Sequence, residues 1–506
     1  MALNLNPTKD LAQVEGIIKA ITLRGRDRKF SELAGTGNEP DVPYYGDNFI
    51  KPRFAPELWV ALVEQSTRLR RCCEVIARNT CGLGAHARMH PEAKEQTSGR
   101  RNLSNTAERD IKKLQTLLSN PNPIFEPVSE VFYKVEFDYH ASGNGYLEVV
   151  EDGREAGSDV VSLLHVPCVN VRVHKDRNKY VRILSHTTRR VYFRKFGDPN
   201  PSHKFIDKET GEFFEAWPAK LPITRRGTSL IHFKSYCPLD DFYGMPTVVP
   251  AVNSVVGNRL SALWNINFLH NNAHIPLAVV VENGNLSPDS LEQIELFLSR
   301  ESKGISNAGR IMVLQPDMNR LMQGANLKIR LDPLNIGVSD DASFLKYRDK
   351  NASEIQETFG LSSILLGIGD AQTRATANAA KQVSISNVIH PRSKTWEYVL
   401  NSTIASRVGG GTAQIVLTKT TNLDSLQQAS VIQKLMPALT LDDIRAHAAE
   451  LLQDSEIAPL DAAFGKLPLA TLRTYKPDEL GLSELLEVLD EALPDRSHVL
   501  KELSIA

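Results

Sequence analysis

The chain has 506 residues, 42% of them hydrophobic and 24% charged, enough for roughly two to four domains with the composition of an ordinary soluble protein. Its formal charge of −1 at pH 7 excludes a broad basic face that grips nucleic acid by neutralising phosphates, so any contact with DNA must be local or fleeting. The opening MALNLNPTKDLAQVEG has no apolar signal-peptide core, and the expectation is a protein made in the cytoplasm that stays out of the membrane.

Residues 1 to 52 are mixed and turn-rich, with a short helix expected over Leu11 to Thr22. The basic patch Arg24, Arg26, Arg28 and Lys29 follows, a solvated face or a contact for nucleic acid or a partner. After the loop GTGNEPDVPYYGDN, one helix is expected from Pro56 to the stop at Gly82. The basic run from Ala85 to Arg101 reads as an exposed loop. Helices over Ala107 to Leu118 and Pro127 to His140 come next, closed by SNPNP and SGNG. From about 145 to 236 the texture changes to β-branched and aromatic runs between Gly, Asp and Asn turns, an antiparallel β-rich module.

The chain is organised around Phe242 to Val281, where Arg259 is followed by no further full charge before Pro276. Pro246 and Pro250 sit where a helix starts. Val248, Val252, Val255, Val256, Leu260, Leu263, Ile266 and Leu269 follow the three-and-four spacing of one helix face, with Trp264 and Phe268 on another side. A helix so broadly apolar is buried or crosses a membrane. Asn253, Asn258, Asn265, Asn267, Asn271 and Asn272 interrupt any run that could span a bilayer. Two readings remain: a central core helix, or a helix packed against copies of itself in a ring.

Beyond it, Leu277 to Glu282 reads as a strand, Ser287-Pro288-Asp289 as a helix start and RIMVLQP as a second strand, a small α/β insert over 277–331. A second long helix runs from Asp340 or Asp341 to Phe359, stopped by Gly360. LSSILLGIGDAQTRAT is a loop with an apolar centre, and a third long helix covers Thr376 to Val408 with a kink at Pro391. AQIVLTKTT is a strand. The remainder from Leu423 is mostly helical, ending near Leu482–Ala492.

Chemistry is sparse. The nearest approach to a phosphate loop, Gly304 to Arg310, lacks the lysine that would reach the phosphates. No H-E-x-x-H occurs, His270 and His274 have no accompanying carboxylate, and no G-x-S-x-G elbow is present. Asp240-Asp241 fits a turn ahead of a helix better than an acid/base pair. Five cysteines, Cys72, Cys73, Cys81, Cys168 and Cys237, make an odd set with no C-x-x-C, which argues for free thiols rather than disulfides or a zinc site. Neither an enzyme nor a cofactor is expected.

The order of elements resembles the portal proteins of tailed bacteriophages, most closely the PBSX-type branch, over about Tyr45 to Leu451. Phe54-Ala-Pro56 before a long helix looks like that family's first segment. Asp138 with Gly143-Asn144-Gly145-Tyr146-Leu147-Glu148 resembles its "D…GNAYLE" signature, and Leu164-His165-Val166-Pro167 a strand end. Ile231-His232-Phe233-Lys234 and Tyr243-Gly244-Met245-Pro246 resemble the "IxH…YGxP" lead into the first stem helix. The resemblance implies an α+β portal fold assembled as a ring. Residues 1–52 would be an N-terminal segment and 53–240 a wing; 241–276 would form the first stem helix, 277–335 an α/β clip and 336–360 the second stem helix. A tunnel loop (361–376), a kinked helix with a wing strand (377–422) and a helical crown and tail (423–506) would follow.

By the same resemblance the ring would hold about twelve subunits, sit at one capsid vertex and conduct double-stranded DNA without gripping it. Its partners would be the major capsid protein, the terminase large subunit and head-completion or tail adaptors, with no membrane and no cofactor. Gln372, Thr373, Arg374 and Lys381 would face the DNA, unless that stretch is an ordinary exposed loop. Val248, Val252, Val256, Arg259, Leu263 and Ile266 would face the neighbouring subunit. Another structural phage component, or a cytoplasmic enzyme with an unrecognised site, are the competing readings.

Overall fold

The computed structural model describes residues 48–90, 101–183, 189–270, 277–282, 328–333, 344–368, 374–408 and 410–419, with positions 292 and 439–440. The expected elements at Leu11–Thr22, Ser287–Asp289, 310–316 and from Leu423 onward lie outside the described residues, as do the basic patch, Asp340 and Asp341. The chain divides into two units, Met1–Thr420 and Thr421–Ala506; everything below belongs to the first.

After strand β1 (Phe49–Ile50), the single helix expected from Pro56 is two: α1 (Pro56–Gln65) and α2 (Thr67–Thr80). Ser66 adopts extended geometry, φ −117° and ψ 109°, and its hydroxyl accepts the Leu69 amide at 3.3 Å. An N-cap thus restarts the helix where the apolar pattern runs on unbroken. The basic run after it is not a loop throughout. Strand β2 (Ala85–Met89) pairs antiparallel with β13 (Ala413–Leu417), Ala85 opposite Leu417.

Helices α3 (Arg101–Ser119) and α4 (Val128–Ser142) follow, α4 ending on Gly143 at φ 82° in the left-handed region that glycine tolerates. The β-rich module comprises β3 (Asn144–Glu151), β4 (Val160–Val166), β5 (Val171–His174), β6 (Lys179–Ile183), β7 (Arg190–Lys195), β8 (Phe205–Ile206), β9 (Phe213–Phe214) and β10 (Ser229–Lys234). Seven strands form one sheet in the order β1-β5-β6-β7-β10-β3-β4. Its pairs are antiparallel apart from β7 with β10.

Pro250 opens a short 3-10 turn, Val249–Ala251, that feeds α5 (Val252–His270). Strands β11 (Leu277–Glu282) and β12 (Lys328–Pro333) pair antiparallel from Leu277 opposite Pro333 to Glu282 opposite Lys328. Helix α6 (Leu345–Phe359) stops at Gly360, φ 65°. The third long helix is continuous but changes pitch: α7 (Arg374–Ser384), a π turn over Ile385–Ile389, α8 (His390–Leu400), a second π turn over Asn401–Ala405, and α9 (Ser406–Val408). Pro391 has no N–H to give and its ring would crowd the preceding turn, so the wider π turn stands immediately before it.

Apolar packing divides by location. Leu114, Phe132, Leu147, Leu163, Trp396 and Leu400 centre one core between α3, α4, the sheet and α8. Leu62, Cys73, Ile76, Val252, Ile355 and Phe359 centre another, where the start of α5 meets α1, α2 and α6.

Candidate functional site

The sequence motifs that are far apart along the chain meet at one junction, where the sheet hands over to α5. Asn144 Oδ1 accepts the Gly244 amide at 2.8 Å and lies 3.0 Å from His232 Nε2. The Ser235 amide donates to the Gly143 carbonyl at 2.9 Å, and the Thr247 amide to that of His140 at 3.3 Å. A Cβ on Gly244 would lie 2.0 Å from the Gly143 oxygen, and one on Gly145 2.3 Å from the Val135 oxygen. Backbone lies against backbone there, so both positions need glycine. Asp138 holds the turn after β4, 2.9 Å from both His165 Nε2 and the Cys168 amide. The Tyr243 hydroxyl donates to the Ile50 carbonyl at 2.6 Å and accepts the Val173 amide at 2.7 Å. Asp240 caps the turn ahead of it by accepting the Phe242 and Tyr243 amides at 2.8 and 2.9 Å.

A buried carboxylate ties the third long helix to the same place. Glu136 on α4 is fully buried. Arg392 on α8 grips it with two hydrogen bonds of 2.7 and 2.8 Å, and Trp396 Nε1 donates a third at 2.7 Å. His140 Nε2 lies 3.2 Å from Glu136, and its other ring nitrogen 3.1 Å from the Thr247 hydroxyl at the lead into α5. Burial by itself would raise the carboxyl, but the Arg392 charge and the hydrogen bonds from His140 and Arg392 outweigh it and hold it at about 2. Farther along, buried Glu151 pairs with Arg194, with Arg407 on α9 at 3.1 Å and with the Ser229 hydroxyl at 2.6 Å. A cavity of about 640 Å³ beside it carries both signs of charge, Arg194, Lys204 and Arg407 with Glu151, Asp198 and Glu215.

Helices α5 and α6 lie together. A Cβ on Gly257 would meet the Tyr347 hydroxyl at 2.3 Å, the Ser254 hydroxyl bonds Glu354, and Trp264 meets Phe344 edge-on at 5.1 Å. Of the residues expected to face a neighbouring copy, Val248, Val252, Val256 and Leu263 are instead closed off inside the chain, 0, 7, 7 and 5% exposed. Helices α1, α2 and α6 of the same chain cover the α5 side that carries the three valines. Arg259 is partly buried and Ile266 is 46% exposed. What this helix pair leaves open is a different apolar set, 36 to 57% exposed: Leu260 and Trp264 on one side of α5, Ile266 about 200° round from Trp264, and Phe344, Leu345 and Tyr347 at the start of α6. Sequence reasoning placed Trp264 on a separate side from the valine stripe and did not single out the α6 residues.

Of the residues expected to face DNA, Gln372 and Thr373 lie outside the described residues. Arg374 starts α7, and Lys381 sits partly buried farther along it. The open face of α7 and the π turn carries Thr376, Asn378, Gln382, Ser386 and Asn387, all uncharged. All five cysteines are buried without a disulfide. Burial pushes the Cys72 thiol up to about 12, so it is no nucleophile at neutral pH. Among the described residues no group could hold a metal ion, and no helix is long and apolar enough to cross a membrane.

Comparison with known proteins places this architecture. A family model described as "Phage portal protein" matches residues 67–448. The chain is 24% identical to the uncharacterised protein YqbA of Bacillus subtilis (strain 168), over 81% of this chain and 83% of the relative. It is 22% identical to the phage-like element PBSX protein XkdE of the same organism, over 81% and 85%. Among solved structures, the neck of an empty GTA particle computed with C6 symmetry matches 81% of this chain and 98% of its own at 20% identity and a TM-score of 0.48. An HK97 family phage portal protein from Corynebacterium diphtheriae matches 70% and 93% at 10% identity and a TM-score of 0.41.

Proposed function

The chain belongs to the phage portal protein family, and from that premise we propose that it is one subunit of a closed ring of about twelve at a single capsid vertex. The ring conducts double-stranded DNA during packaging and ejection. It docks the terminase large subunit while the head fills and head-completion or tail adaptors afterwards, with the major capsid protein around it. It carries no catalytic centre of its own, and it passes from the host cytoplasm during assembly into the virion.

One observation carries this reading. Helices α5 and α6, the two stem helices, are covered by their own chain on one side. Beyond that cover they leave Leu260, Trp264, Ile266, Phe344, Leu345 and Tyr347 open to solvent. Six large apolar side chains left open on one helix pair mark contact surface on more than one side of it, as a subunit between two neighbours needs, and head-to-tail contacts that close by rotation give a ring. The channel side is consistent with transit rather than binding. The exposed described residues of α7, Thr376, Asn378, Ala379, Gln382 and Val383, carry no charge, and the chain's net charge of −1 offers few phosphate contacts to stall a moving duplex.

The test is the mass and symmetry of the purified assembly, by native mass spectrometry with particle averaging. A closed ring of about twelve copies around a central hole supports the reading. A compact monomer at every concentration, or one that hydrolyses a small substrate, refutes it.

A further inference from the structure

Beside the start of α2 a cleft of about 200 Å³ opens between α1, α2, α5 and α6. Arg68, Arg259 and Arg348 line it with Gln65, Ser66 and Asn258, and none of the described lining residues is acidic. This contrasts with the cavity beside Glu151, where cations and carboxylates balance. Arg68 and Arg348 form no ion pair with any described residue. Arg68 Nη1 and Asn258 Oδ1 are both buried without a hydrogen-bond partner. Two guanidinium groups that line one cleft without a carboxylate among the described residues, Arg68 and Arg348, make a receptor for a planar anion, which arginine recognises by paired hydrogen bonds.

We propose that this cleft is a socket for a carboxylate of a second copy of this chain, presented by that copy's α6; this rests on the ring reading above. Two features favour a neighbouring copy over a phosphate of the DNA. The space suits a single side-chain carboxylate reaching in from a helix, whereas a duplex backbone runs along the outside of such a surface. The cleft also has an exposed apolar neighbour on its own face: Val255, Arg259 and Ala262 line it, and Ile266, exposed, stands one turn beyond Ala262.

The donor is on the page as well. Asp349 and Glu357 are exposed on α6 and form no ion pair with any described residue. At about 100° per residue they stand about 100° and about 180° round the helix from Arg348. A head-to-tail ring brings opposite faces of one element together, so an arginine on one side and an acid on the other complete each other between copies.

The experiment uses the full chain and reads the ring-to-monomer ratio by native mass spectrometry across a salt series, with circular dichroism to show that each variant is folded. Arg348→Glu should weaken each contact about tenfold, as should the acid reversal, Glu357→Arg or Asp349→Arg, at the residue that fills the socket. Combining Arg348→Glu with that same acid reversal should restore rings, which a merely structural arginine would not allow. The pair Arg68→Ala with Arg348→Ala should lower the salt concentration at which rings dissociate. Wild-type rings that are matched by the arginine variants at every salt concentration overturn the socket alone. Arginine variants that assemble normally yet retain less DNA overturn it in favour of a phosphate site. A wild type that stays monomeric overturns the ring reading along with the socket.

Discussion

Replacing Arg392 with alanine should be among the most damaging single changes to the packing of α4 against α8, for a reason that pH exposes. Glu136 is fully buried and its carboxyl titrates at about 2 rather than 4.5. Because the folded value is depressed, the stabilisation is complete above pH 4.5 and is lost as pH falls toward 2. That interval corresponds to about 3 kcal/mol. Arg392→Ala leaves a buried carboxylate with only Trp396 and His140, which should cost about 3–5 kcal/mol near pH 7. In the variant, burial goes unopposed by the guanidinium and the carboxyl protonates more easily, so the deficit relative to wild type should narrow as the pH is lowered from 7 to 5. The double variant Glu136→Gln/Arg392→Met removes both charges and keeps an acceptor for Trp396, so it should be less damaged than Arg392→Ala alone. Urea unfolding followed by tryptophan fluorescence at each pH reads all three. A loss below about 1 kcal/mol for Arg392→Ala, or a double variant as damaged as the single, would refute the reasoning.

Gly244→Ala places a methyl 2.0 Å from the Gly143 oxygen and should abolish soluble expression or lower the melting temperature by many degrees; a protein that melts like the wild type would contradict the backbone packing described. Tyr243→Phe deletes one donor and one acceptor and should cost about 1–2 kcal/mol, with faster hydrogen exchange at the Val173 amide as its local signature. Leu260→Asp, at a position 37% exposed, should leave the protomer folded and prevent closed rings, read as a loss of the ring mass. Val248→Asp should instead unfold the protomer, since it buries an unpaired charge in the core that holds Leu62 and Ile355; circular dichroism separates the two outcomes.

Helix α5 was legible because its apolar spacing runs long and its prolines fix where it starts. Which side met its own chain and which was left open was not, because valines, leucines and Trp264 surround it and periodicity singles out no face. The break at Ser66 was hidden for a related reason: the apolar pattern continues across it, and the one local sign is a serine placed to cap Leu69. Strand β2 had no local sign at all. Ala-His-Ala-Arg-Met carries no β-branched residue, and it is a strand because β13 returns from the far end of the unit to pair with it. The buried Glu136–Arg392 and Glu151–Arg194–Arg407 groups are invisible for the same cause, being ordinary surface-type charges until the fold brings them together. The glycine motifs were read as a resemblance. The structure supplies their physical reason, the contact of Gly143 with Gly244.

The attachment of α5 and α8 to helix α4 has a mechanical consequence. The chain leaves the sheet module at Gly244 and returns to it at Arg392, and both ends fasten to the last turns of α4: one through Gly143, His140 and Thr247, the other through Glu136. A pull on the segment between Gly244 and Arg392 therefore divides between two attachments that share one abutment, instead of peeling a single strand from the edge of the sheet. His140 touches both attachments, so tension that displaces Thr247 also disturbs the hydrogen bonds around Glu136. Strain applied at Thr247 is thereby delivered to α8 across three hydrogen bonds, through His140 and Glu136.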